Sequence, residues 1–165
     1  MDEEQPGFDT ESAARLRRVI VRLARTFNDS AAAEGLSPSQ ASVLAVVGAR
    51  GPLALAALAE FEGINPTMLS RIVSKLDGEG LIRRMPNPDD QRAALVEATE
   101  GGRETSERIR AARTAVVTKL VNALPAETAA AVVAALPALE AMAGLTDGDT
   151  DRHSLRLAPG HSVTS

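Results

Sequence analysis

The run of residues 64–98 constrains the fold more than any other part of the chain, because a capped helix stands directly before a short hairpin. Asn65-Pro66 is typical of a helix start, since Asn caps free backbone amides and Pro fits the first turn. Residues 81–85 predict a strand, residues 86–90 break it, and residues 93–98 predict its returning partner. The run therefore predicts one helix followed by a β-hairpin.

This helix has two chemically different faces when its residues are placed about 100° apart. One side is aliphatic and predicts a face that packs on a core: Leu69, Ile72, Val73 and Leu76. The other side carries mainly small polar groups and two cations: Thr67, Met68, Ser70, Arg71, Ser74 and Lys75. A face of this kind is equally typical of an ordinary solvated helix, so its interpretation depends on the neighbouring elements.

A second short helix precedes this one. Residues 53–62 are rich in alanine, with apolar residues at helical spacing, and Gly63 follows where a left-handed C-cap is expected. Two short helices joined in this way are typical of a helix-turn-helix. Arg71 can donate two hydrogen bonds to guanine, and Lys75 suits a phosphate. The pattern predicts that the second helix reads the major groove of double-stranded DNA.

The tip of the hairpin, residues 86–92, is rich in proline and charge. Arg92 can extend into a narrow minor groove, where the negative potential is enhanced. Asp90 lies two residues earlier and can hold that guanidinium by a charge-assisted hydrogen bond. The alternative interpretation is a solvated turn with an incidental ion pair, which contributes little energy.

Long helices are predicted on both sides of this compact middle. Residues 11–35 show apolar side chains at helical spacing, and residues 100–145 predict two more helices that are divided at Leu124-Pro125. Pro137 lies inside the last helix and is expected to kink it or end it early. These helices are too apolar and too long to be covered by residues 36–99. They are predicted to pack against a second copy in a symmetric dimer.

The charge is unevenly distributed along the chain. The net charge is −4, but positions 1–11 hold five carboxylates and no base, so the remaining residues carry +1. Any affinity for DNA must therefore come from local placement of cations, not from a bulk field. The acidic arm at residues 1–10 and the polar tail at residues 146–165 are expected to be disordered.

The composition argues against several classes of enzyme and metalloprotein. There is no cysteine, which excludes thiol chemistry and fits a reducing cytoplasm, the expected location. The histidines are His153 and His161, both in the tail, so neither a zinc site nor a hydrolase triad is expected. No phosphate-binding glycine motif occurs, so no cofactor and no enzymatic activity are expected.

Two further partners are disfavoured. The chain has three Phe and no Tyr or Trp, whereas readers of RNA and single strands usually stack bases on aromatic rings. The first residues do not form a secretory signal, and no run of about 18 apolar residues occurs, so membrane association is not expected. Double-stranded DNA and a second copy of the chain are the expected partners.

Taken together, the motifs resemble those of the MarR (multiple antibiotic resistance regulator) family. Its members carry a recognition helix similar to residues 66–73 and a Leu-acid-x-x-Gly-Leu-Ile-x-Arg segment similar to residues 76–84. The Asp-x-Arg wing signature is similar to residues 90–92, and the Thr-x-x-Gly that follows is similar to residues 99–102. The order of the elements is similar over residues 11–145.

The resemblance implies a mainly α fold, a winged helix-turn-helix core with a small β-hairpin wing. It implies a DNA-binding domain at residues 36–99. It also implies that the flanking helices, at residues 11–35 and 100–145, build an obligate homodimer.

The resemblance further implies which side chains meet DNA. Major-groove contacts are implied at Thr67, Ser70 and Arg71, and Arg92 is implied to contact the minor groove or backbone with Asp90 orienting it. Such proteins commonly repress a nearby gene and release a pseudo-palindromic operator when a small-molecule effector binds. The sequence itself identifies no effector-binding residue.

A second hypothesis remains open. The nearly neutral charge beyond the acidic arm, and Gln91 at a position where arginine is often found, also fit a winged-helix protein-interaction module without specific DNA binding. Binding to selected duplexes in the presence of nonspecific competitor distinguishes the two hypotheses.

Overall fold

A computed structural model describes residues 8–88 and 94–144 of the chain. The predictions of a disordered arm and tail therefore fall largely outside the described residues. The same holds for Asp90 and Arg92, whose predicted roles stay predictions, and for the two histidines.

Within the described residues, the chain forms six helices and three short strands. Their order is α1 (Thr10–Ala33), α2 (Pro38–Arg50), β1 (Leu53–Ala54), α3 (Leu55–Glu62), α4 (Pro66–Gly78), β2 (Ile82–Pro86), β3 (Ala94–Ala98), α5 (Glu100–Asn122) and α6 (Ala126–Met142). The predicted mainly α fold with a β-hairpin between α4 and α5 is confirmed.

The sheet contains one strand that was predicted to be helical. β2 and β3 pair antiparallel, with Met85 opposite Leu95, and β1 pairs with the other edge of β3, with Leu53 opposite Val96. The prediction of a helix from residue 53 was therefore wrong at its first two residues. The free edge of β3 offers backbone hydrogen bonds there, and tertiary pairing overrides the local helical pattern.

The core lies where α2, α3 and α4 meet the sheet. Its fully buried side chains are aliphatic, and burying each contributes roughly 1.5–3 kcal/mol. The largest of them are Leu44, Leu58, Leu69, Leu76, Ile82, Val43, Val46, Val47, Val73 and Val96. Because α4 supplies Leu69, Val73 and Leu76 to this core, its orientation is fixed by packing.

A close contact joins the start of α5 to the end of the α4 segment. Thr99 caps α5, since its Oγ1 accepts from the Gly102 N–H at 3.0 Å, and the same hydroxyl donates to the Gly80 carbonyl at 2.7 Å. A Cβ at Gly102 would lie 1.8 Å from the Leu81 carbonyl oxygen. Only glycine permits this approach, which ties α5 to the chain between α4 and β2.

The flanking helices are sparsely covered. α6 continues through Pro137 to Met142. Of the two predicted effects of this proline, a kink or an early end, the early end does not occur. Its alanine-rich neighbours are strong helix formers, and their propensity carries the helix past the missing N–H. None of the α6 residues, all of which the structure describes, is buried. Just after α1, the Glu34 carboxylate forms an ion pair with Arg108 of α5, with Oε2 and Nη2 2.8 Å apart.

Candidate nucleic-acid interface

A tight turn sets the angle between α3 and α4. Gly63 adopts a left-handed conformation with φ of 62°, which favours glycine, and the Ile64 N–H donates to the Ala59 carbonyl at 3.1 Å. Asn65 then caps α4, its Oδ1 accepting from the Met68 N–H at 2.9 Å. These local bonds end one helix and start the next within three residues, 63–65, as the glycine and asparagine predicted.

The two faces of α4 lie as the sequence predicted. The aliphatic residues are buried, and the six predicted contact residues on this helix are all exposed to solvent: Thr67, Met68, Ser70, Arg71, Ser74 and Lys75. Met68 is 49% exposed, an unusual fraction for a methionine in a domain with a well-filled core. The structure thus brings these six residues together on one accessible face, while their contact with DNA stays a prediction.

The two cations of this face are held differently. Among the residues that the structure describes, Arg71 forms no ion pair or side-chain hydrogen bond, so its guanidinium keeps all its donors. Lys75 lies one helical turn before Glu79, with Nζ and Oε1 3.8 Å apart, and its side chain is 60% exposed. An exposed pair of this kind contributes little and is easily exchanged for a phosphate. Arg71 is the better placed of the two to meet a base edge.

The sequence reasoning missed Arg84, a cation on β2 that reaches the same face. Its Nη2 donates to the Ser74 Oγ at 2.8 Å, and its Nε lies 3.7 Å from the Asp77 Oδ2. The alternation of side chains along a strand could have indicated this, because residue 84 shares a strand face with Ile82, which is buried beneath α4. Ser74, which was predicted to contact DNA, therefore also accepts a hydrogen bond from the wing strand.

The neighbouring arginine serves the sheet instead. Arg83 stands opposite Glu97 in the β2–β3 register, and its Nε donates to the Glu97 carboxylate at 2.8 Å. This is the cross-strand pairing expected for opposite charges on one face of a sheet. Of the wing residues predicted to meet DNA, Asp90 and Arg92 lie outside the described residues.

Other kinds of site find little support in the part of the chain that the structure describes. There, no group of three or more His, Cys, Asp or Glu side chains could hold a metal ion. No helix among residues 8–88 and 94–144 is long and apolar enough to cross a bilayer. A shallow groove of about 610 Å³ follows the outer side of α5 from Glu107 to Asn122, and α5 alone lines it.

A helix-turn-helix whose second helix exposes a polar face beside a β-hairpin defines a winged-helix DNA-binding protein. The model of the MarR family matches residues 36–94. An uncharacterized HTH-type transcriptional regulator of Mycobacterium bovis, Mb0904, is 31% identical over 105 residues, which cover 64% of this chain and 73% of the relative. The chain belongs to the MarR family, and it is a regulator of transcription.

Solved structures show the same architecture. RV1404 of Mycobacterium tuberculosis is 27% identical, with a TM-score of 0.67 over 87% of this chain and 98% of that one. A MepR mutant of Staphylococcus aureus bound to an oligodeoxyribonucleotide is 16% identical, with a TM-score of 0.62 over 79% of this chain and 96% of that one. At that identity, the second comparison concerns the fold alone.

Proposed function

We propose that this protein is a transcriptional repressor that binds a pseudo-palindromic operator in double-stranded DNA as a homodimer. The observation that carries the proposal is the exposed face of α4, which presents Arg71 with its guanidinium free among the described residues. The aliphatic back of α4 holds that face rigidly against the core. A rigid helix of this chemistry fits the major groove.

Each side chain on this face has a role that its chemistry supports. We assign Arg71 to a guanine, through two hydrogen bonds to O6 and N7, and Met68 to an apolar contact such as a thymine methyl. Thr67 and Ser70 stand in the first turns of α4, where hydroxyl groups can donate to bases or phosphates. Lys75 is assigned to a phosphate.

The wing extends the interface in this proposal. Arg92 contacts the minor groove or the backbone, and Asp90 orients its guanidinium. These two assignments rest on the resemblance of the wing motif to that of the family. A cation at the wing adds affinity that falls with salt, because it displaces counterions from the DNA.

A second copy of the chain explains the apolar surface of the flanking helices. α1 exposes Val19 and Ile20, and α6 exposes Val133, Leu136 and Met142. Large apolar side chains that are left uncovered in a single copy commonly mark a site of protein–protein contact. A two-fold dimer built on these helices would place two recognition helices about one DNA turn apart, roughly 34–36 Å, which calls for a pseudo-palindromic site.

Two further points support a ligand-responsive DNA binder. The MepR structure with the shared fold is bound to an oligodeoxyribonucleotide, which supports DNA as the ligand here. Membership of the family supports release of the operator on binding of a small-molecule effector. A thermal-shift screen with aromatic acids and lipophilic drugs tests the effector, and a compound that binds should also release the operator.

Selection of bound sequences from random duplex DNA tests the central proposal. We expect a pseudo-palindromic motif to be enriched by the wild-type chain and to lose one base preference with Arg71→Ala. A pool without enrichment, at moderate salt and with nonspecific competitor, would favour a winged-helix protein-interaction module instead. The nearly neutral charge of residues 12–165 motivates that second function.

A further inference from the structure

One guanidinium links the wing strand to the exposed face of α4. Arg84, on β2, donates from Nη2 to the Ser74 Oγ at 2.8 Å, and its Nε faces the Asp77 Oδ2 at 3.7 Å. Ser74 and Asp77 are three residues apart, so they are neighbours on the helix surface. The planar fork of an arginine can engage both at once, which a lysine ammonium cannot reproduce.

This contact determines how the Ser74 hydroxyl can be used. A hydroxyl has one hydrogen to donate and lone pairs that accept, whereas a guanidinium only donates. Ser74 is therefore the acceptor in its bond to Arg84, and its own hydrogen is directed elsewhere. Among the described residues, no atom accepts that hydrogen. Ser74 also lies on the exposed face that carries Arg71.

We propose that Arg84 is a positioning residue that acts through Ser74: it fixes the Ser74 hydroxyl as a hydrogen-bond donor aimed at an acceptor of DNA. The charged donor polarises the hydroxyl and strengthens the bond it donates. The acceptor is a phosphate oxygen or the acceptor edge of a base. This inference rests on the proposed function and adds to it a residue that no sequence pattern had assigned to DNA binding.

A double-mutant cycle on the selected operator tests the link. Ser74→Ala and Arg84→Ala should each weaken binding on the order of tenfold, the loss of about one well-placed hydrogen bond. The double variant should be no weaker than the weaker single variant, because both changes remove the same interaction. Effects that multiply to roughly a hundredfold would overturn the proposal.

Arg83→Ala is the matched control for Arg84→Ala. It removes the same charge from the same strand, but Arg83 is paired with Glu97 on β3, and so the operator affinity should stay near that of the wild type. The dependence of affinity on salt should have the same slope in both variants. If the fall of log affinity with log salt concentration became shallower by about one in Arg84→Ala alone, the proposal would be overturned, since Arg84 would then neutralise a phosphate itself.

Arg84→Lys separates geometry from charge. It keeps the cation but loses the fork that reaches Ser74 and Asp77, so binding should stay as weak as in Arg84→Ala. Full recovery of affinity with lysine would mean that only the charge matters, and would overturn the proposal. Selection on the variants locates the acceptor: a base contact changes one position of the motif, and a phosphate contact weakens all sequences equally.

A measurement on the free protein separates this inference from the proposed function. In the wild type, the Arg84 Nη2–H that donates to the Ser74 Oγ should give a protected NMR signal that is lost in Ser74→Ala and weakened in Asp77→Asn. An identical signal in all three proteins would overturn the link, whatever the DNA results. A protected signal in a protein that selects no DNA sequence would instead overturn the proposed function, and with it the role of the link in DNA binding.

Discussion

At the residue scale, Arg71 carries the strongest expectation. Its guanidinium is exposed and forms no pair within the described residues, so little needs to be broken before it meets a base. Arg71→Ala should cost roughly 1–3 kcal/mol of operator affinity and relax the preference at one base pair. Fluorescence anisotropy on operators varied at each position measures both effects.

Arg71→Lys is the control for charge. It retains the cation but not the two parallel donors, so the base preference should relax while nonspecific affinity persists. If Arg71→Lys kept the full preference, or if Arg71→Ala bound the best operator as tightly as the wild type, Arg71 would not read a base.

The sequence predicted the exposed face of α4 well because two local properties determine it. A helical period fixes which residues share a side, and the burial of Leu69 and Leu76 fixes which side turns inward. The partner of Ser74 could not be found in the same way. It depends on where β2 lies across α4, and that is set by the register with β3 and by the core.

At the element scale, the junction between α4, β2 and α5 depends on Gly102. Gly102→Ala would place a methyl group against the Leu81 carbonyl oxygen, where the backbone must move, and overpacking of this kind costs roughly 1–3 kcal/mol. Thermal unfolding followed by circular dichroism should show a clear fall in Tm.

Gly101→Ala is the matched control for that change. A Cβ at Gly101 would have Thr99 Oγ1 as its nearest neighbour, at 4.0 Å, and alanine favours the helix by up to about 1 kcal/mol. Its Tm should be equal to or higher than that of the wild type. Equal Tm values for the two alanine variants would mean that the junction has room for a side chain.

The junction between α1 and α5 should respond to pH. The hydrogen bond from Arg108 holds the pKa of the Glu34 carboxyl below its usual range. Because the folded pKa lies below the unfolded one, the ionised carboxylate stabilises the fold at neutral pH. That contribution is lost as pH falls through the lowered folded pKa.

Unfolding curves between about pH 6 and pH 3 measure this contribution. Glu34→Gln should lower Tm at neutral pH, and its Tm should approach that of the wild type as the pH falls. Glu140→Gln, which removes a carboxylate that forms no ion pair in the described residues, is the matched control and should keep the wild-type Tm at neutral pH. Parallel wild-type and Glu34→Gln curves would show that the pair with Arg108 adds nothing.

The elements also show where sequence patterns stop being informative. Caps and glycines mark helix ends because their bonds are local, as at Gly63 and Asn65. β1 was not predicted because two residues are too few to show the alternation of a strand. They form a strand because they pair with the edge of β3. At Pro137 the local rule left two outcomes open, a kink or an early end, and the alanine-rich residues around it continue the helix past the proline.

For the whole molecule, the distribution of apolar surface predicts how the chain assembles. In a single copy α6 buries none of its residues, while Val133 is 59% and Met142 58% exposed. Burying such a face against a second copy is worth about 25 cal/mol for each Å² of apolar surface removed from water. We therefore expect the monomer to be a minor species.

Val133→Asp tests this assembly without disturbing the core, because the side chain is exposed in a single copy. A charge buried in the dimer interface is costly, so light scattering after size-exclusion chromatography should give a monomer mass with helical content preserved. Ala57→Glu places a carboxylate on an exposed position of α3, outside the flanking helices, and should remain dimeric. Val133→Asp should also weaken operator binding strongly, because a monomer binds only one half-site. In the dimer, binding of the first recognition helix holds the second close to its half-site at a high effective concentration. A wild-type chain that is monomeric at micromolar concentration, or a Val133→Asp variant that stays dimeric, would show that α6 does not build the dimer.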